Sequence, residues 1–277
     1  MPELSMCNEL LAAEGRGLAE QCAVARALGY MGLELAPGTL GPAPDRLSPA
    51  ETAAIARTVA DHGLVVTGLH WLLAPFPRLS ITAPGVAEET RDTLLRLVDL
   101  CAALGGRVMV HGSPGQRVPP AGEAPADTFA RVADFFRPVA AHAAAAGLTY
   151  CIEPLSRAET PFINRVAEGA ALAGAVESPA FRTMIDISAA GAAEAEPVAE
   201  LIRRWLPGGM IGHVQANDSN RGAPGTGADP FGAIVRALRD CGWAAPIAVE
   251  PFTTVIDAPV TLAIGAATLR SAWEAAA

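Results

Sequence analysis

Short apolar runs rich in β-branched residues recur along the chain: LSMCNE from Leu4, MGLELA from Met31, VVTGLH from Val65, RVMVHG from Arg107, LTYCIEP from Leu148, FRTMIDI from Phe181, IGHVQAND from Ile211 and PIAVEPF from Pro246. Between them lie segments whose apolar residues follow helical spacing. Examples are LAEQCAVARALG (18–29), PAETAAIARTVADHG (49–63), TRDTLLRLVDLCAALGG (90–106), TFARVADFFRPVAAHAAAAG (128–147) and DPFGAIVRALRDCGW (229–243). Most of these close on glycine, where a helix is expected to end. Strands alternating with helices predict parallel pairing through right-handed crossovers. Repeats of about 35 residues fill the chain without a Ser/Gly-rich linker, which predicts an α/β protein made of a single (β/α)8 TIM barrel over residues 1–277. An open doubly wound sheet is the alternative, but its G-x-G-x-x-G fingerprint is missing after the first run.

Such a barrel carries its chemistry where strands run out into βα loops. The runs end in Asn8 and Glu9; Glu34; His70 and Trp71; His111; Glu153; Asp186; His213, Gln215, Asn217 and Asp218; and Glu250. Every apolar strand therefore finishes on a polar or ionisable group. Any one of these is explained by a side chain leaving the core for solvent or a loop amide. Together they demand more, because carboxylates crowded into a narrow mouth repel one another unless a cation neutralises them.

The composition narrows the chemistry. The chain is 51% hydrophobic, has a mean hydropathy of +0.30 and carries a net charge of −9. That charge repels phosphate backbones, so no nucleic-acid partner is expected. No apolar run reaches the ~18 residues of a membrane helix, so no membrane partner is expected either. The N-terminus has no signal-peptide pattern, and the cytoplasm is the expected compartment. The cysteines, Cys7, Cys22, Cys101, Cys151 and Cys241, are odd in number and never spaced C-x-x-C, which reads as reduced, mostly buried thiols.

Four strand ends make a plausible divalent-ion site: Glu153, Asp186, Gln215 and Glu250. Three carboxylates and an amide oxygen are hard ligands. They suit Mg²⁺ or Mn²⁺ better than Zn²⁺, although Co²⁺ or Zn²⁺ stays open. His213 lies two residues before Gln215 on the same strand face and reads equally as support for the ion or as an ordinary core histidine.

With Glu in IEP, Asp in MID, the loop NDSNRGAPGTG, Glu in VEPF, and GLHWLL, GGRVMVHGSPGQR and ETPFIN elsewhere, the chain resembles the xylose isomerase-like barrel superfamily. Within it the likeness is to the sugar phosphate isomerase/epimerase group, which includes ketose 3-epimerases and hydroxypyruvate isomerase. The resemblance implies that Glu153 and Glu250 bind the metal and also form the acid/base pair, and that Asp186 is the second ligand. The third ligand is often histidine in relatives, but the hydroxypyruvate isomerase-like branch has glutamine at the position of Gln215. Arg221 and Glu159 match substrate contacts. Relatives are commonly dimers or tetramers, so a homo-oligomer is implied.

One position departs from the pattern. Relatives usually read Asp-x-x-His in strand 6, where this chain has Asp186, Ile187, Ser188, Ala189. Either His70, His111 or His213 replaces that histidine, or the metal and Arg221 polarise the substrate alone, or the activity has drifted from sugar isomerisation.

The expected reaction is proton transfer beside a carbonyl of a keto-sugar, sugar phosphate or small hydroxy-keto acid, through a metal-stabilised enediolate. Trp71 either walls the pocket or fills space. Ser113, Gln116 and Arg117 either grip a distal substrate group or lie in a solvated loop. GAPGTG lacks a P-loop lysine and reads as a closing loop rather than a phosphate cradle. A metal-dependent dehydratase or lyase on a sugar-derived acid, or an impaired homologue that keeps its ion, are the competing readings. A trinuclear-zinc DNA endonuclease would need more histidines at the mouth and a basic face.

Overall fold

The structure is a computed structural model that describes residues 2–276. Eight parallel strands close into one barrel in sequence order: β1 Leu4–Cys7, β2 Gly32–Leu35, β3 Val65–Leu69, β4 Val108–His111, β5 Thr149–Ile152, β6 Phe181–Asp186, β7 Ile211–Ala216 and β8 Ile247–Val249. Each strand coincides with one of the apolar runs. The strands are buried on both faces, which is why they read as continuous apolar stretches rather than alternating ones.

Helices Leu18–Ala27, Pro49–Asp61, Ala87–Ala103, Pro125–Ala145 and Phe231–Asp240 match the quoted segments. Val166–Val176, Val198–Trp205 and Ala258–Ala275 lengthen the outer ring. Ser48 and Glu51 form a reciprocal capping box that starts Pro49–Asp61, and Gly63 and Gly147 close that helix and Pro125–Ala145 at φ of 69° and 71°. Leu, Val, Ile and Phe side chains between helices and barrel make one continuous core.

Register decides which side chains share the mouth. Cys7 pairs with Glu34, and Asp186 pairs with Gln215. The β2–β3 ladder shifts immediately before Glu34, and the β6–β7 ladder shifts between Thr183 and Ile185, just ahead of Asp186. Such irregularities re-aim a side chain at a barrel rim. Four cysteines are buried and Cys241 is half-buried, all as free thiols. Among the described residues no helix is long and apolar enough to cross a membrane.

Candidate active site and metal centre

Oxygen atoms of Glu153, Asp186 and Glu250 lie within 4.8 Å of one another at the C-terminal end of the barrel, and all three residues are buried. Space for the Glu153 carboxylate comes from Gly112, where an added Cβ would collide with Glu153 Oε2. Asp186 is held at both oxygens. Oδ1 accepts from the Ala189 amide at 2.7 Å and from the Ser188 hydroxyl at 3.2 Å, and Oδ2 accepts from Asn217 Nδ2 at 2.6 Å. Ala189 thus serves Asp186 through its backbone amide.

The cluster is electrostatically strained. Burial, then the neighbouring Asp186, pushes Glu153 well above the usual carboxylate range. Burial, then Glu153, does the same to Glu250. Burial also raises Asp186, to about 6, against the pull of its own hydrogen bonds. Glu153 and Glu250 in this state favour their protonated forms unless a cation replaces the protons.

The residues present fit a hard divalent ion. Alongside the three carboxylates, Gln215 is fully buried with Oε1 lacking any partner, and Glu250 Oε2 is likewise unpartnered. A second group, Cys7, His70 and Glu250, is as tightly clustered. It is less suited to an ion: His70 Nε2 is already 2.8 Å from Glu9 Oε2, and burial followed by the charge of Glu34 holds the Cys7 thiol in its protonated form.

The three mouth histidines diverge. His70 Nε2 lies 3.9 Å from Glu250 Oε1, which among the described residues makes it the histidine nearest the carboxylate cluster. Burial opposes its protonation, but Glu9 and then Glu34 outweigh this and raise its proton affinity. His111 is expected from the sequence to contact substrate, yet its Nδ1 meets the Tyr150 hydroxyl at 2.7 Å and its ring packs edge-on against Phe136. Burial, then Arg117, pushes His111 down to about 3, so it stays neutral. His213 is also turned from the expected substrate contact, with Nε2 2.8 Å from Glu34 Oε2. Both lie within their strands rather than beyond them: the His111 ring points outward against Phe136 of the helix layer, and the His213 ring points inward onto Glu34.

The loop after β7 brings the remaining predicted contacts together. Asp218 accepts backbone N–H bonds from Ser219, Gly225, Gly227 and Asp229, which folds GAPGTG back over the strand end. Arg221, at φ 63°, reaches Glu159 Oε1 at 3.0 Å and stacks over Phe252. Trp71, at φ 52°, stacks on the same Phe252 ring. Non-glycine residues held at positive φ concentrate where structure is over-determined for a purpose.

The GSPGQR segment is not a solvated loop at its key positions. Ser113 Oγ accepts from the Leu73 amide, and Arg117 is fully buried with Nη1 donating to the Glu153 carbonyl at 2.7 Å. Burial pushes Arg117 down to about 10, against the pull of Glu153 and Glu159. Sequence reading misses Phe252, Gly112 and the pairing of Glu9 and Glu34 with histidines. The placement of Glu9 and Glu34 at strand ends was the available signal.

A family model described as a xylose isomerase-like TIM barrel matches residues 22–272. D-psicose 3-epimerase of Agrobacterium fabrum is 28% identical over 216 residues, 74% of this chain and 70% of that protein. L-ribulose 3-epimerase of Mesorhizobium japonicum is 30% identical over 226 residues, 76% of this chain and 70% of that protein. A solved structure of L-ribulose 3-epimerase superposes with a TM-score of 0.81 at 23% identity, covering 100% of this chain and 96% of the other. At that identity the structural likeness speaks to the fold.

Proposed function

The chain belongs to the xylose isomerase-like TIM barrel family, and from that premise we propose that it is a divalent-metal-dependent keto-sugar epimerase, with inversion at C3 as its reaction. The observation that carries this reading is the convergence of Glu153, Asp186 and Glu250 within 4.8 Å, and the unpartnered oxygen of Gln215, the register neighbour of Asp186, supports it. The named activities of the two curated relatives, psicose and ribulose 3-epimerisation, support the substrate class.

Glu153, Asp186, Gln215 and Glu250 would hold the ion, Mn²⁺ or Mg²⁺ given their hard oxygen donors. When bound, it supplies electrophilic polarisation of the substrate carbonyl, worth several kcal/mol in lowering the cost of a neighbouring carbanion. The protein's own groups do the rest. One of Glu153 and Glu250 takes the proton from C3, and the other returns a proton from the opposite face. Acid/base assistance of this kind is worth roughly 10²- to 10⁴-fold. His70, 3.9 Å from Glu250, replaces the missing strand-6 histidine as a donor to substrate oxygen. Arg221 and Glu159, paired at 3.0 Å, orient the distal hydroxyls, and Trp71 with Phe252 covers the apolar face of the sugar.

The test is a screen of free ketoses, ketose phosphates and hydroxypyruvate with chelated enzyme resupplied with Mn²⁺, Mg²⁺ or Co²⁺, in deuterated water. Metal-dependent deuterium incorporation at C3 of a ketose is the expected result. Activity that persists in chelator, or deuterium entering only at another carbon, would sink the reading.

A further inference from the structure

The two ends of a glutamine amide are chemically opposite, and only the carbonyl end binds a cation. Gln215 Nε2 lies 2.9 Å from Glu34 Oε1 and 3.8 Å from Cys7 Sγ, while Gln215 Oε1 has no partner. Glu34 reaches this amide from β2, across the barrel interior, and is fully buried. Its other oxygen, Oε2, lies 2.8 Å from His213 Nε2, although without hydrogen-bond alignment. His213 and Gln215 are two residues apart on β7 and share a face. One carboxylate therefore spans both inward side chains of that strand.

Turning the amide over would set the Gln215 carbonyl against a Glu34 oxygen with no proton between them, in a space closed to water. Nitrogen, which cannot bind a cation, would then stand where Oε1 now lies, on the strand beside that of Asp186, its register partner. We propose that Glu34 is a positioning residue for metal binding: by taking the amide hydrogens of Gln215 it aims Oε1 at the ion and makes the fourth ligand an oxygen. This rests on Gln215 being a ligand. It also accounts for a buried glutamate in the barrel interior that no step of the proposed reaction uses. Carboxylates that orient metal-binding imidazoles act in the same way, and their loss typically weakens metal binding 10- to 100-fold.

The experiment is calorimetric titration of Mn²⁺ into metal-free wild type, Glu34→Gln, Gln215→Ala and the double variant, with circular dichroism to establish that each is folded. Glu34→Gln offers an amide in place of the carboxylate and removes the preference for one orientation. The expected result is a roughly 10- to 100-fold loss of Mn²⁺ affinity for Glu34→Gln, an equal or larger loss for Gln215→Ala, and no further loss in the double variant. Wild-type affinity in Glu34→Gln overturns the proposal, as does a Glu34→Gln penalty undiminished in the Gln215→Ala background. Wild-type affinity in Gln215→Ala instead removes the ligand reading on which the proposal stands. A crystal structure of Mn²⁺-loaded wild type needs no substitution: Gln215 must touch the ion and Glu34 together, and a Gln215 bound to the ion with Glu34 turned elsewhere overturns the idea.

Discussion

The guanidinium of Arg221 lies 4.1 Å over the ring of Phe252. Trp71 stacks on that ring too, with centroids 6.0 Å apart and planes inclined by 15°. The Phe252 and Thr253 amides both donate to the Arg221 carbonyl, at 2.8 and 3.1 Å. One phenyl ring thus organises two residues held at positive φ from separate loops.

We predict that Phe252→Ala lowers kcat/KM about 2- to 30-fold, the equivalent of a ~0.5–2 kcal/mol cation–π contact. Mn²⁺ affinity should be unchanged, because Arg221 and Trp71 are assigned to the substrate and not to the ion. Steady-state kinetics beside calorimetry separates the two, and a fall in metal affinity without a kinetic effect would contradict this role.

Glu153→Gln and Glu250→Gln should each reduce epimerisation by roughly 10²- to 10⁴-fold. Each should also leave the metal-free protein as stable as wild type or more so, since burial and mutual repulsion already disfavour both carboxylates. Deuterium wash-in and thermal unfolding measure the two effects. Retention of full exchange activity in either variant would remove it from the acid/base pair.

Gly112→Ala places a methyl group where the Glu153 carboxylate sits. The expected outcome is a stability loss of about 1–3 kcal/mol from overpacking, with Mn²⁺ binding weakened as Glu153 is displaced. Denaturant melts and metal titration of this variant check both, and wild-type metal affinity would mean that Glu153 has room to move.

Metal and protons should compete for the clustered carboxylates. The folded-state pKa of Asp186 is raised to about 6, so between its ordinary 3.8 and that value the folded protein binds more protons than the unfolded chain. Metal-free stability therefore falls as pH rises through this window. Metal requires the ionised forms, so its stabilisation grows with pH, reaching about 2.7 kcal/mol when free ion is 100 times Kd. Unfolding temperatures with Mn²⁺ and with chelator should converge near pH 5 and separate by pH 8. A constant gap across that range would be inconsistent with ligation by these carboxylates.

His111 has the opposite sign. Its pKa falls from 6.5 to about 3, so between those values the unfolded chain binds the extra proton and stability declines as pH drops. In His111→Phe this contribution disappears. The stability difference between wild type and variant should shrink as pH is lowered from 7 to 5, read by denaturant melts at each pH.

The eight strands and the order of candidate ligands were legible in the sequence because buried parallel strands are continuous apolar runs, and a barrel enzyme must place polar groups where those runs stop. Glu153, Asp186, Gln215 and Glu250 could be picked out on that ground. The roles of His111 and His213 were not legible, since a histidine within a strand, as these two are, and one just beyond it, as His70 is, look alike as text.

What sequence alone determined about this protein is therefore its periodicity: which segments are strands, which are helices, and where each strand hands over to a loop. Tertiary structure decided the pairings that cross the barrel, such as Glu34 with Gln215, 181 residues apart, and the empty volume at Gly112 that admits Glu153. The physical reason is range. Apolar patterning is written into neighbouring residues by the face they must bury, whereas a contact between distant strands depends on closure and register, which no local stretch records.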